Sequence, residues 1–244
     1  MAERPVFIAN PQKKGFVETK DIEFQWYPGF AITQKQKSIF SLHKQLLLNY
    51  PTINVLEISS KSQDQLGTSL SAFNLMIRTK NNKEFSVETA FQASKVFENG
   101  GPFLDLYEKS SRDAKKDPRI KESGKLLYFQ FFSRKWELQP KTLFYDWLYI
   151  NALAMNREYS EKILEYDAFT DIEFNPEKSI NCQAKSAALY VSLHRADLLQ
   201  EALSSVEGYR SIVINQRSVT EDKVDVNKTK NENVKQLSLF DDLI

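Results

Sequence analysis

Three side chains in the stretch Phe85 to Lys95 could do chemistry together: the carboxylate of Glu88, the amide of Gln92 and the amine of Lys95. Read as one helix from Glu88 to Phe97, the stretch sets Glu88 four residues from Gln92 and seven from Lys95, close to a single face. A carboxyl group so placed can protonate a leaving base or activate water. An amine can attack an anomeric carbon and hold the sugar as a Schiff base. To attack it must be partly unprotonated, which a buried setting favours. The same spacing also suits an ordinary solvated ion pair with Gln92 as a spectator, and spacing alone does not separate the two.

The surrounding segments must hold this helix. Val6-Phe7-Ile8 and Ile22 to Trp26 read as short strands, broken by Asn10-Pro11 and Pro28-Gly29. Residues 33–50 read as a helix with Thr33 as its cap and Ile39, Phe40, Leu42, Leu46 and Leu47 at helical spacing. Val55 to Ser59 and Leu75 to Arg78 read as strands, and Asn99-Gly100-Gly101-Pro102 ends the central helix. Residues 103–116, Lys125 to Phe132, Pro140 to Asn156, Tyr159 to Tyr166 and Ala184 to Ser204 read as helices. The expected class is therefore mainly α (α+β), multihelical, with a few short strands near the N-terminus.

The motif Val87-Glu88-Thr89-Ala90-Phe91-Gln92-Ala93-Ser94-Lys95, preceded by Ser71-Ala72-Phe73-Asn74, resembles the signature of the NADAR (YbiA-like) family. The resemblance extends over roughly residues 60–200. Trp136 in Arg134-Lys135-Trp136-Glu137 and Asp171 in Thr170-Asp171-Ile172-Glu173-Phe174 match further family positions. Thr89 stands where many members carry histidine. Asn175 to Cys182 replaces the usual Gly-rich loop after the aspartate, so Glu173 rivals Asp171 for that role. The block Phe144 to Tyr149 is similar to the subgroup paired with DarT-type toxins, which ADP-ribosylate bases in single-stranded DNA. The resemblance implies a glycohydrolase that removes ADP-ribose from guanine. It implies Glu88, Lys95 and Asp171 as catalytic residues, with Ser71, Phe73, Asn74, Gln92 and Trp136 binding substrate. Trp136 would stack on a base and Asp171 would position water or ribose hydroxyls. The ordinary alternatives are a core tryptophan, a helix-capping aspartate, and turn-forming roles for Ser71 and Asn74.

Composition narrows the rest. The net charge of +1 says little about polyanions, so contact with nucleic acid must come from local patches. Arg112 to Lys125 is one, with Lys115, Lys116, Arg119, Lys121 and Lys125, although Asp113, Asp117 and Glu122 make an ion-paired helix an equal reading. The single cysteine, Cys182, excludes an intrachain disulfide and a Cys-rich zinc site. His43 and His194 lack metal-ligand spacing, and His43 reads as structural. No metal and no cofactor is expected. No apolar run approaches a membrane span and the first residues lack a signal-peptide core, so a cytoplasmic, nucleoid-associated protein is expected.

From Gln216 the composition turns polar and reads as disordered. Gln236-Leu237-Ser238-Leu239-Phe240 then resembles the pentapeptide that binds the bacterial sliding clamp. Leu239 and Phe240 could anchor in an apolar pocket, while Gln236 fixes register. A linker of about 20 residues gives a reach of roughly 25 Å. Docking back onto the body is the alternative. The expected organisation is an N-terminal extension over 1–58, a NADAR-like catalytic domain over 59–210, a linker over 211–235 and a clamp-binding tail over 236–244. The expected partners are ADP-ribosylated DNA, the sliding clamp and a cognate DarT-type toxin. The competing functions are an N-glycosidase acting on a riboflavin-pathway metabolite, and a non-enzymatic binder of ADP-ribose or toxin.

Overall fold

The computed structural model describes residues 1–215. Strands β1 (Ala2–Ala9) and β2 (Val17–Phe24) form an antiparallel hairpin in which Ala2 faces Phe24 and Ala9 faces Val17. Helix α1 (Ile32–Asn49) lays Ile39, Leu42 and Leu46 against Val6, Ile22 and Phe24 of that hairpin. Of the stripe the sequence predicts, Ile39, Leu42 and Leu46 are buried, whereas Phe40 and Leu47 face outward. Its cap is not Thr33: the helix starts one residue earlier, after Ala31, and has no side-chain cap.

Strand β3 (Val55–Glu57) completes a four-stranded sheet of order β2-β1-β9-β3 with β9 (Ala168–Thr170). The β3–β9 pair is parallel and sets Glu57 beside Thr170. Helix α2 (Gln65–Ser69) is capped by the Asp64 carboxylate, which accepts the Leu66 N–H at 2.8 Å. Gly67 sits on this helix against the Glu57 carbonyl, where any Cβ would collide. Strands β4 (Met76–Arg78) and β5 (Glu84–Ser86) form a second hairpin that leads into α3 (Val87–Ala93).

Helix α3 is shorter than the sequence predicts. It ends at Ala93, and Lys95 opens strand β6 (Lys95–Phe97). The loop through Gly101 presses on the Lys95 carbonyl with φ +97°, a place and a conformation that suit only glycine. A 3₁₀ turn (Leu104–Glu108) and helix α4 (Ser111–Lys116) replace the single helix expected over 103–116. Ser110 divides them by capping α4, its hydroxyl accepting the Asp113 N–H at 3.2 Å. After α5 (Arg119–Glu122), the expected helix Lys125 to Phe132 is instead strand β7 (Leu126–Phe131), flanked by β6 and β8 (Arg134–Trp136). Phe129 and Phe131 are buried while Gln130 between them faces away, a period of two that a helix cannot satisfy.

Helix α6 (Leu143–Met155) is the axis of the core. Every residue from Leu143 to Ala154 is buried, so it is apolar on all faces. Its buried acid and amide are hydrogen-bonded. Asp146 accepts the Ser186 hydroxyl at 2.6 Å, and Asn151 donates to the Trp147 carbonyl at 2.8 Å. Helix α7 (Arg157–Lys162) and a 3₁₀ turn (Ile163–Glu165) lead to β9. Helices α8 (Gln183–Arg195) and α9 (Leu199–Ser204) split the expected helix Ala184 to Ser204 at Asp197, which has φ +57°. Helix α10 (Val206–Asn215) buries Tyr209 and Ile212, so the packed body passes residue 211. The sequence from 216, including Gln236 to Phe240, lies outside the described residues. The fold is α+β and helix-rich, with strands in the middle of the chain as well as near its start.

Candidate active site

Helix α3 is held at its start by two bonds. The Ser86 hydroxyl accepts the Thr89 N–H at 3.1 Å, and the Glu88 N–H donates to the Ala72 carbonyl at 2.8 Å. The second bond ties the Ser71–Asn74 element to the signature helix. The Ala72 N–H in turn donates to Gln183 Oε1 at 2.6 Å, and Gln183 Nε2 donates to the Ile58 carbonyl at 2.7 Å. One buried amide thus fastens α8 to β3 and to the loop in front of the helix.

Glu88 and Lys95 meet, though not by helical periodicity. Gln92 Nε2 donates to Glu88 Oε1 at 2.8 Å, and Lys95 Nζ donates to Gln92 Oε1 at 2.7 Å. These two bonds fix which end of the amide faces which partner. The turn out of α3 into β6 swings the amine back over the Phe91 ring, 4.9 Å from its centre. Burial chiefly lowers the Lys95 amine from 10.5 to about 8, with Glu88 opposing the shift and the Lys115 ammonium adding to it. Lys115 Nζ lies 3.6 Å from Glu88 Oε1 and 4.9 Å from the centre of the Phe73 ring. Glu88 is buried, so its carboxylate sits between two amines, one direct and one through the glutamine.

Beyond Glu88 lies Tyr145 on α6, its ring edge-on to Phe91 at 5.1 Å. Burial raises its phenol well above the usual range, with Glu88 and Asp171 among the charges adding to the effect. Tyr145 therefore feels the charges of both Glu88 and Asp171. Burial and then the neighbouring Glu57 carboxylate raise the Asp171 carboxyl well above the ordinary value. Asp171 also accepts the Glu173 N–H at 3.0 Å. Glu173 itself points outward to Lys35 at 3.1 Å, which leaves Asp171 as the inward acid.

The family model for the DarT1-associated NADAR antitoxin matches residues 2–223. The chain belongs to this family. In this NADAR antitoxin the match begins at residue 2, so it takes in the N-terminal hairpin and α1 along with the signature helix. Membership gives the protein a DarT-associated antitoxin role in a family known for N-glycosidase-like activity. No curated protein matches it.

The NADAR antitoxin places the remaining expected residues differently. Trp136 is only 2% exposed and packs on Trp147 at 4.7 Å and Phe144 at 5.4 Å, which makes it a core tryptophan with no open face for a base. Ser71 is buried and its hydroxyl accepts the Phe73 N–H at 3.4 Å. Asn74 donates to the Thr68 carbonyl at 2.8 Å. Both shape the turn that carries Phe73. Helix α4 brings in Lys115, which the sequence offered only as part of a basic run. Gln183 carried no signal, because it has no distinctive spacing, and Tyr145 was offered only as part of the block Phe144 to Tyr149. Glu57 did carry one, as an acid inside the apolar strand Val-Leu-Glu-Ile. It accepts the Thr170 hydroxyl at 2.6 Å and the Ile172 N–H at 2.8 Å. His43 Nε2 lies 2.8 Å from the same Thr170 oxygen, and burial lowers the imidazole to about 4, so it is neutral and structural. Among the described residues no group of His, Cys, Asp and Glu could hold a metal ion, and no helix is long and apolar enough to cross a membrane.

Proposed function

We propose that the protein hydrolyses the N-glycosidic bond joining ADP-ribose to guanine in DNA. The observation that carries this reading is the Glu88–Gln92–Lys95 relay. It holds an amine lowered to about 8 within two short hydrogen bonds of a buried carboxyl group. At pH 7 about a tenth of such an amine is neutral and nucleophilic, against less than one part in a thousand for an ordinary lysine.

In the proposed reaction the protonated Glu88 gives its proton to the guanine nitrogen as the bond to C1 of the ribose breaks. The neutral Lys95 nitrogen bonds to C1. The amine gives up a proton to the Glu88 carboxylate, which passes it to the ring oxygen as the C1–O bond breaks and the ribose opens to a protonated Schiff base. Glu88 then takes a proton from water as it adds to C1 and gives that proton to Nζ; the C1–Nζ bond breaks, the hydroxyl proton returns to Glu88, and the aldehyde at C1 recloses onto the ring oxygen. The products are guanine in the strand, free ADP-ribose and the regenerated amine. Asp171, held protonated, would donate to a ribose hydroxyl. The Gln236 to Phe240 tail would tether the enzyme to the sliding clamp.

The test is release of ADP-ribose from an oligonucleotide carrying ADP-ribosyl-guanine, with a thymine-modified strand as control. Release from guanine alone, lost in Glu88→Gln and Lys95→Ala, is the expected result. Borohydride should trap a Lys95 adduct in the presence of substrate. Full activity in Lys95→Ala would refute the mechanism.

A further inference from the structure

A cleft of about 1010 Å³ opens beside the start of α3. Ser86 and Thr89 reach it from the helix, whereas Glu88, Gln92 and Lys95 do not line it. Its apolar wall is aromatic. Tyr107 lies nearly parallel to Phe132, 18° between planes at 6.1 Å, and tilts against Phe85 at 4.5 Å. Leu104 stands at the mouth, 59% exposed.

The wall between this cleft and the relay is thin. The Ser111 hydroxyl faces the cleft and donates to the Phe73 carbonyl at 2.7 Å, while the Phe73 ring lies under Lys115, which reaches Glu88. Ser111 and Lys115 are four residues apart on α4, about 6 Å along its axis. Lys83 in the lining enters no ion pair among the described residues. Arg112 and Lys116, four apart on α4, do not line the cleft; they follow its lining residue Ser111 on the helix, are exposed, and likewise enter no ion pair among the described residues. Glu84 is neutralised by Arg78, and Lys109 is held by Asp117 and Asp105. Glu108 and Asp113 are the opposing acids, and Asp113 already accepts the Ser110 hydroxyl at 2.6 Å.

We propose that this cleft takes a nucleobase of the single strand adjacent to the modified guanine, with the intervening phosphate crossing α4 at Arg112 and Lys116. The identification of the strand as the carrier of the modified base rests on the proposed function. The chemistry of the cleft supplies the rest. Flat rings receive a base of any sequence, hydroxyls meet its polar edge, and unpaired cations beside the cleft meet phosphate. One helical turn between the two sites suits a single nucleotide step.

The experiment uses the full chain and a fluorescently labelled, unmodified 12-nucleotide single strand read by anisotropy, together with hydrolysis assays on the modified strand and on ADP-ribosylated guanosine. Leu104→Asp and the double variant Arg112→Glu, Lys116→Glu alter only exposed positions. Each should weaken strand binding by about 10-fold and raise KM for the modified strand by a similar factor, with hydrolysis of the guanosine substrate unchanged. Raised salt should weaken wild-type binding and have less effect on the double variant. Strand binding unaltered by both variants, or absent in wild type, overturns the proposal and leaves the cleft to a peptide or a second copy of the chain. A wild type that binds the strand through the cleft yet releases ADP-ribose from neither substrate separates failure of the glycohydrolase from failure of the cleft.

Discussion

Replacing Lys95 by methionine should stabilise the protein at neutral pH while abolishing its activity. The amine is lowered from 10.5 to about 8 chiefly by burial. A lowered lysine means that the folded state holds its proton less tightly than the unfolded chain. Above pH 10.5 neither state is protonated and the shift has no effect on stability. As pH falls from 10.5 to 8 the unfolded chain takes up the proton first, and the folded state loses stability. Below 8 the loss is complete. It amounts to at most about 3 kcal/mol, and to about 1–3 kcal/mol allowing for partial solvent access. Methionine keeps the volume and loses the bond from Nζ to Gln92 Oε1, worth about 1 kcal/mol; the ring contact with Phe91 adds nothing where the amine is neutral. Lys95→Met should therefore be less stable than wild type by about 1 kcal/mol at pH 10.5. It should draw level or become up to about 2 kcal/mol more stable at pH 7. Urea unfolding of both proteins at half-unit steps between these limits measures the difference directly, and groups common to both cancel. A difference that stays flat with pH would refute the argument, because it would mean that the amine titrates normally and that its nucleophilicity needs another source.

Other expectations follow from the same geometry. kcat/KM should rise with pH towards about 8 as Lys95 loses its proton, and the rise should be absent from whatever residual rate Lys95→Met retains. Gln92→Leu should cut kcat by about 10–100-fold with little change in urea midpoint, because it breaks the link between Glu88 and Lys95. Trp136→Ala should cost about 3–5 kcal/mol in unfolding free energy; any folded fraction should keep its KM, since the ring has no open face. Glu57, raised by burial, contributes stability at acid pH that is lost as pH rises through its folded value. Glu57→Gln should accordingly be neutral or stabilising at pH 7, while Glu57→Ala, which strands the Ile172 N–H, should cost about 2–4 kcal/mol by urea unfolding.

The sequence by itself determined which residues could react and which family they belong to. Glu88, Gln92 and Lys95 were legible because their identities and order form a motif, and the family match over residues 2–223 agrees with it. The apolar stripe of α1, the apolar run of α6 and the helix-rich class were also legible, since burial periodicity is written locally. Tertiary structure decided how those residues meet. Sequence periodicity predicted a helix through Lys95, yet the chain turns into β6 after Ala93, because pairing with β7 satisfies its backbone and no local signal announces that partner. The same pairing made Leu126–Phe131 a strand, its alternating phenylalanines readable either way until two neighbours were in place. Trp136 was assigned to substrate by position in a motif and given to the core by packing on Trp147. Lys115 and Tyr145 lie on separate helices, and only the packing of α4 and α6 against α3 brings them to Glu88 and Phe91; Glu57 and Asp171 are brought together by the β3–β9 pair. The raised proton affinities of Tyr145, Asp171 and Glu57 follow from that enclosure, since burial and the charges of residues distant in sequence act only once the chain has folded around them.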